Sequence, residues 1–427
     1  MTSSSDWVTL RLQVTTPLFN GGADPDGRAE LRPEAETGVR VASLRGVMRY
    51  WFRALAGCGI GPDLPLLAEL ESRVFGSAEY PSPVVMRIPR QPAVRTEERP
   101  DFMRADTGKW ISYLLGQGLT RYDAPSRGML LTRPYVAPGQ VFDLKARFAD
   151  DDAGALACAA LWLACAYGGA GARVRRGFGG LRIIGADGPL PSPWTEQTIL
   201  TPDLRYYEQV KDLYPDQVLG ACAVRLLTFA GGRGFDMRKA WAGQPPSFPV
   251  LSKDWTRAAA SGEAFPGWQE TLAYAGKEFR HFRASEPNRN PAANYSPKIK
   301  TPEWTDVVHG QDASFGLGAL GLPVGYKDKY VVNADRGHGH GAEQLRRASP
   351  LWLRPVGSGD RWRLLSFAFR GEFLPGPQAP HIHLWHQGRQ ITERELSVTG
   401  DDIRRRTDAW MDALASGSGF SGEAHGR

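Results

Sequence analysis

Histidine is missing from the first 280 residues of this 427-residue chain; the first of its eight is His281. Imidazole is the side chain best suited to moving protons near neutral pH, so that stretch lacks the commonest general acid or base. Cysteine is scarce as well. Cys58, Cys158, Cys165 and Cys222 form no CxxC pair, which excludes a cysteine zinc site and predicts buried thiols in a reducing compartment. No run of eighteen apolar residues occurs, and the opening MTSSSDW has neither a basic nor an apolar segment. The chain is therefore expected to be soluble and cytoplasmic, with no membrane partner. GxSxG, HExxH, kinase and EF-hand signatures are absent. No catalytic residue, no metal and no cofactor are expected.

What the chain does have is length, positive charge and glycine. Its 46.9 kDa suits two or three domains, and a net charge of +6 with pI near 9.1 is compatible with a polyanionic partner without requiring one. The densest signal is GGAGARVRRGFGG, residues 168–180. Glycines permit positive φ and close backbone approach, while Arg173, Arg175 and Arg176 supply forked donors suited to phosphate. Before it, DDAGALACAALWLACAY (151–167) predicts a buried helix; after it, LRIIG predicts a strand. A P-loop or a GxGxxG turn needs strand before helix, so this setting excludes both. The competing reading is a surface loop with solvated arginines.

A second basic feature precedes it. Ser43 predicts the N-cap of a helix, LRGVMRYWFRALAG, ending near Gly57. At 100° per residue, Arg45, Arg49 and Arg53 share an arc of about 80°, beside a packing face of Leu44, Val47, Met48, Trp51, Phe52 and Leu55. Gly46 costs such a helix about 1 kcal/mol, which points to another backbone approaching there. Between Arg40 and Glu69 the only acid is Asp63, so the stripe reads as a companion surface for the loop.

TPLFNGG (16–22), LRGVMRYWFRAL (44–55), VFGS (74–77) and GARVRRGFGGL (171–181) resemble the repeat-associated mysterious proteins of CRISPR systems, the RAMP superfamily. EW (303–304), FGLGALGLPVGY (315–326), RRASPLWLRP (346–355) and EFLP (372–375) extend the resemblance, which is most similar to the first-numbered RAMP subunits of type III-B (Cmr) effectors. The stretch 189–269 matches nothing in that family, and 86–119 matches it weakly. The resemblance implies an α+β fold of tandem ferredoxin-like (RRM-related) domains with long inserted loops. The expected division is an N-terminal domain at 1–188, a connector at 189–220, a C-terminal domain at 221–415 and a disordered tail at 416–427. It also implies a non-catalytic subunit that holds the 3′ part of a guide RNA and its paired target RNA, alongside other RAMP subunits. The RNA-binding candidates are Arg45, Arg49, Arg53, Gly171, Arg173, Arg175, Arg176, Gly177 and Phe178 in the first half. Lys298 and Lys300 beside Tyr295, and Arg346 and Arg347 before a strand, join them from the second.

The remaining expectations concern the second half. CAVRLLTF (222–229) predicts its opening strand, and GWQETLAYAGKEFRHFR (267–283) a helix packing through Leu272, Ala275 and Phe279. WRLLSFAFRGEFLP predicts a core strand in which Leu364, Ser366, Phe367 and Phe369 compete for the interior, and GHGHG (337–341) a flexible loop facing RNA. HIHLWH (381–386) sets His381 and His383 on one side of a strand, without a cysteine or acid at ligand spacing. Asp24 and Asp26 in DPDG read as turn formers, with metal-assisted RNA cleavage as the rival. Two alternatives stand beside RNA holding: a RAMP-type endonuclease that processes guide RNA, and an assembly scaffold whose arginines meet acidic partners.

Overall fold

Alternation in VTLRLQV makes β1 (Val8–Val14) a strand that buries Val8, Leu10, Leu12 and Val14 and leaves Arg11 exposed. The computed structural model to which it belongs describes residues 6–21, 38–104, 106–116, 118–231, 236, 240–284, 307–308, 314–326, 329–337 and 343–420. Tyr295, Lys298, Lys300, Asp24, Asp26 and all of GHGHG beyond Gly337 lie outside that set. The mixed α/β architecture with antiparallel sheets expected from the sequence is present.

β1 is central in a four-stranded sheet ordered β2–β3–β1–β4, with β2 at Val84–Arg87, β3 at Val141–Phe148 and β4 at Leu181–Asp187; every pairing is antiparallel. Helices α1 (Val41–Ile60) and α2 (Leu64–Phe75) lie between β1 and β2. An insertion between β2 and β3 carries α3 (Gly108–Leu115), and α4 (Asp151–Ala166) returns the chain to β4. Ser43 is not the cap of α1. The helix begins at Val41 after an extended Arg40 and runs past Gly57 to Ile60, where Gly61 turns at φ +73°. Gly57 is there for packing, since a Cβ would sit 2.5 Å from Phe248. Asp150 caps α4 by accepting from Ala153 N at 2.6 Å, and every residue from Ala153 to Ala166 is buried.

The predicted strand at 222–229 is instead part of helix α5 (Gln217–Phe229). Asp216 caps it, and Leu219, Cys222, Ala223 and Leu226 recur at helical spacing and are buried in the same core as α4. That period outweighs the scattered β-branched residues. The strand that opens the second half is β5 (Thr256–Ala260), followed by α6 (Trp268–Ala284), which buries Leu272, Ala275 and Phe279 as predicted. Then come β6 (Tyr330–Arg336), β7 (Leu351–Ser358), β8 (Arg361–Phe369), β9 (His381–His386), β10 (Arg389–Leu396) and α7 (Gly400–Ser416). β7–β8–β5 form one antiparallel sheet, and β6–β9–β10 with two short strands form another.

β8 is buried on both faces. Leu365, Phe367 and Phe369 join Trp352 in the core shared with α1 and α4, whereas Leu364 and Ala368 join the core shared with α6 and α7. The Trp51 ring lies 5.8 Å from Trp352, 6.2 Å from Phe367 and 6.1 Å from Phe369. The layers therefore run first sheet, α1 with α4, second-half sheet, then α6 with α7. Ser366 is tolerated inside because its hydroxyl donates to Trp352 O at 2.7 Å and accepts from Trp410 Nε1 at 2.8 Å. Beyond α7, Gly417 and Ser418 are exposed and Phe420 is buried, its ring stacked on Trp410 at 5.9 Å. All four cysteines are free and buried; burial pushes Cys58, Cys165 and Cys222 up to about 12 and raises Cys158 as well. Among the described residues no helix is long and apolar enough to cross a membrane.

Candidate nucleic-acid interface

The loop 168–180 joins α4 to β4, as its sequence setting predicts, but most of its glycine serves the fold. Gly171 adopts φ +86° with its Cα facing Phe19 O, where a Cβ would approach to 2.4 Å. Gly177, at φ +90°, leaves room for Leu272 of α6. Phe178 is buried 5.8 Å from Phe19, so it has no face for a ligand. The backbone N–H groups of Ala170, Ala172, Arg176, Gly177 and Gly179 donate to Gly179, Phe19, Arg173, Val174 and Pro17 carbonyls, and that of Gly180 to Thr16 Oγ1. Those groups do not form an anion cradle. Arg175 O accepts from Leu353 N at 3.1 Å, which sews the loop to β7.

The arginines remain. Between α1, the loop and residues 348–352 lies a cleft of about 680 Å3. Ser43, Gly46, Val47 and Tyr50 supply the α1 wall at helical spacing; Arg173, Arg175 and Arg176 supply the loop wall, and among the described residues no acidic side chain lines it. Arg173 is exposed, with φ +63°. The Arg175 guanidinium lies 5.2 Å from the Trp352 ring, and that of Arg176 lies 4.2 Å from Phe279. Arg176 Nη1 is buried without a hydrogen-bond partner. Burial, then the charge of Arg283, with smaller contributions from Arg173 and Arg175, pushes Arg176 down to about 9; only Tyr113 opposes them. Among the described residues no carboxylate pairs with this cation, a costly arrangement, and its neighbours Phe279, Arg283 and Tyr113 are not among the cleft-lining residues.

The helix stripe lies elsewhere. Arg45 donates to Phe75 O at 3.2 Å and Val84 O at 3.1 Å; Arg49 pairs with Glu71 at 2.8 Å and donates to Phe75 O at 3.1 Å; Arg53 pairs with Glu71 at 2.7 Å. These arginines close the C-terminal end of α2 and are not among the cleft-lining residues. Glu71 sits just past the acid-free stretch and folds back when α2 packs beside α1. Gly46, by contrast, faces open space: a Cβ there would meet nothing within 4 Å.

The segment before β7 meets the loop. Arg346 is exposed, and Arg347 donates to Glu372 O at 2.7 Å and to Phe373 O. Burial, with the charge of Arg175, pushes Arg347 down to about 10. Both arginines line a second pocket of about 340 Å3 that shares Tyr50, Arg175, Ser349 and Trp352 with the main cleft. Sequence reasoning did not single out Tyr50 or Trp352; the signal available was the register of Tyr50 with Ser43 and Gly46. It also passed over Arg354, which is buried and donates to Leu181 O at 2.9 Å and to Cys165 O and Gly168 O, clamping both ends of the loop. At the histidine strand, His381 and His383 stack 5.9 Å apart, and pairing of β6 with β9 brings Asp335 to 3.4 Å from His383, an acid that linear spacing does not reveal. Among the described residues no group of three or more His, Cys, Asp or Glu is placed to hold a metal.

The comparison with known proteins gives the class: residues 11–182 match the RAMP superfamily. The CRISPR system Cmr subunit Cmr1-1 of Pyrococcus furiosus is 27% identical over 355 residues, spanning 82% of this chain and 85% of that protein. Its Cmr1-2 is 33% identical over 185 residues, 40% of this chain and 92% of that protein. The crystal structure of Cmr1 from Pyrococcus furiosus in the apo form aligns at a TM-score of 0.49 and 20% identity, covering 94% of this chain and 97% of that one. The chain belongs to the Cmr1 family of RAMP proteins, subunits of type III-B CRISPR systems.

Proposed function

We propose that this subunit binds RNA without cutting it, holding the 3′ part of the guide RNA and its paired target within the cytoplasmic effector, beside other RAMP subunits. The observation that carries the reading is the cleft whose loop wall is Arg173, Arg175 and Arg176 and which no acidic side chain lines among the described residues. Such contacts hold a phosphate backbone without reading sequence, which base pairing to the guide supplies. Both halves read as ferredoxin-like. The first follows a strand–helix–strand–strand–helix–strand path; the second repeats it through β5, α6, β7, β8 and α7, with the β6, β9 and β10 sheet inserted and no closing strand among the described residues.

The test is charge reversal of Arg173→Glu with Arg175→Glu, assayed for RNA retention by the assembled complex and for RNA affinity of the purified chain against salt. Two lost single-strand phosphate contacts reduce the log–log salt slope by about 1.4. Unchanged retention would support the scaffold instead. Reproducible site-specific cleavage of repeat RNA by the purified chain would overturn the non-catalytic assignment.

A further inference from the structure

We infer that the second pocket seats a single unstacked base, so that this subunit grips at least one nucleotide of its RNA as single strand. The inference rests on the RNA-holding reading above and specifies what part of the RNA the site takes.

The pocket's size, about 340 Å3, falls in the range of small-ligand sites, about 300–1,000 Å3. Its walls are aromatic and proline-rich: Tyr50, Phe248, Trp352 and Phe373 with Pro249 and Pro350. Tyr50 and Trp352 lie 5.8 Å apart at 40°, tilted rather than stacked on one another. Flat apolar walls of this kind suit the face of a planar ring.

The polar groups define the rest of the ligand. Arg175 and Arg347 repel one another across the wall, and Arg346 stands exposed beside them. The one acid in the lining, Glu372, is exposed, and its backbone carbonyl is the group that receives Arg347. Arg347 Nε is buried with no hydrogen-bond partner, and the Tyr50 hydroxyl interacts with Arg175. A planar ligand carrying acceptors and a negative charge meets every one of these conditions, and a nucleotide is such a ligand. Tyr50, Arg175 and Trp352 belong to both cavities, so a backbone phosphate in the main cleft and a base in the pocket can come from neighbouring atoms of one strand. A base still stacked in a helix has both faces covered by its neighbours; it must first leave the stack to lay a face on these walls.

Ser247 and Phe373 line the pocket and are not among the main-cleft residues, which separates this idea from the one it rests on. Full-length protein is titrated with a fluorescent single-stranded oligouridine and with a labelled RNA duplex of equal length at fixed salt. Ser247→Trp, which fills the pocket, and Phe373→Ser, which removes a wall, are each expected to weaken single-strand binding about tenfold and to leave duplex binding unchanged. Using two variants guards against one of them misfolding, checked by thermal unfolding. Wild-type single-strand affinity in both folded variants would overturn the base seat. If Arg173→Glu with Arg175→Glu still abolishes binding in that case, RNA holding survives and only the seat is lost; if it also has no effect, the RNA reading itself falls.

Discussion

Arg176, proposed above as a binding residue, carries its charge at a cost to the fold. Its guanidinium rests on Phe279, one nitrogen is buried without a partner, and its charged neighbours are arginines. The sign of the effect is fixed: folding lowers the pKa of this cation to about 9, so at neutral pH it stays charged in both states and its charge opposes folding, a penalty relieved only as pH rises through about 9. Arg176→Met keeps the packing on Phe279 and removes the charge. It is expected to raise the unfolding free energy of the free chain by about 1 kcal/mol while weakening RNA binding. Denaturant unfolding beside an RNA titration checks both halves of that statement; a destabilised variant that binds RNA normally would contradict it. Burial lowers Arg173 as well, but without the added charge of neighbouring arginines, so the two residues differ in degree although the sequence presents them as one basic run.

At the scale of elements, α1 decides the shape of the cleft. Its Arg45, Arg49 and Arg53 face α2, and its Ser43, Gly46, Val47 and Tyr50 face the loop. Because a Cβ at Gly46 meets nothing, Gly46→Ala should stabilise the helix by about 1 kcal/mol, with RNA affinity little changed. Gly46→Leu should remain folded and bind RNA less well, because its side chain projects into the cleft. Thermal unfolding and the same RNA titration measure the two effects. The sequence revealed that α1 was a helix and that Gly46 was out of place in it. Which of its edges lines the cleft was not legible, since that depended on Glu71 folding back from α2. Similarly, the loop's position between helix and strand could be read directly, but the use of its N–H groups by Phe19, Pro17 and Thr16 depends on a strand end about 160 residues away. At 222–229 a local pattern misled, because a helix with four buried positions carries the same apolar residues as a strand.

For the whole molecule, each of the two cores draws residues from both halves of the chain. Trp352, Phe367 and Phe369 of the second half lie in the core of α1 and α4, and Phe19 and Phe178 of the first half lie in the core of α6. Arg354 is the polar member of this junction. It reaches from β7 to three carbonyls at Cys165, Gly168 and Leu181, where α4 ends and β4 begins. Its positive charge suits the carbonyl end of α4, and its buried position lets no water replace it. Arg354→Met leaves those carbonyls buried and unpaired, which costs about 3 kcal/mol. Arg354→Lys should recover only part of this loss, because a compact ammonium cannot span the three acceptors as a planar fork does. Calorimetry of the wild-type chain should show both halves melting in one transition, since neither core is complete without residues of the other. In Arg354→Met the transition should move to lower temperature, and RNA binding should weaken with it because the loop that presents Arg173, Arg175 and Arg176 is fixed at both ends by this residue. Two well-separated transitions in the wild type, or an Arg354→Met chain as stable as the wild type, would show that the halves fold independently and that the loop is held by its own glycine geometry alone.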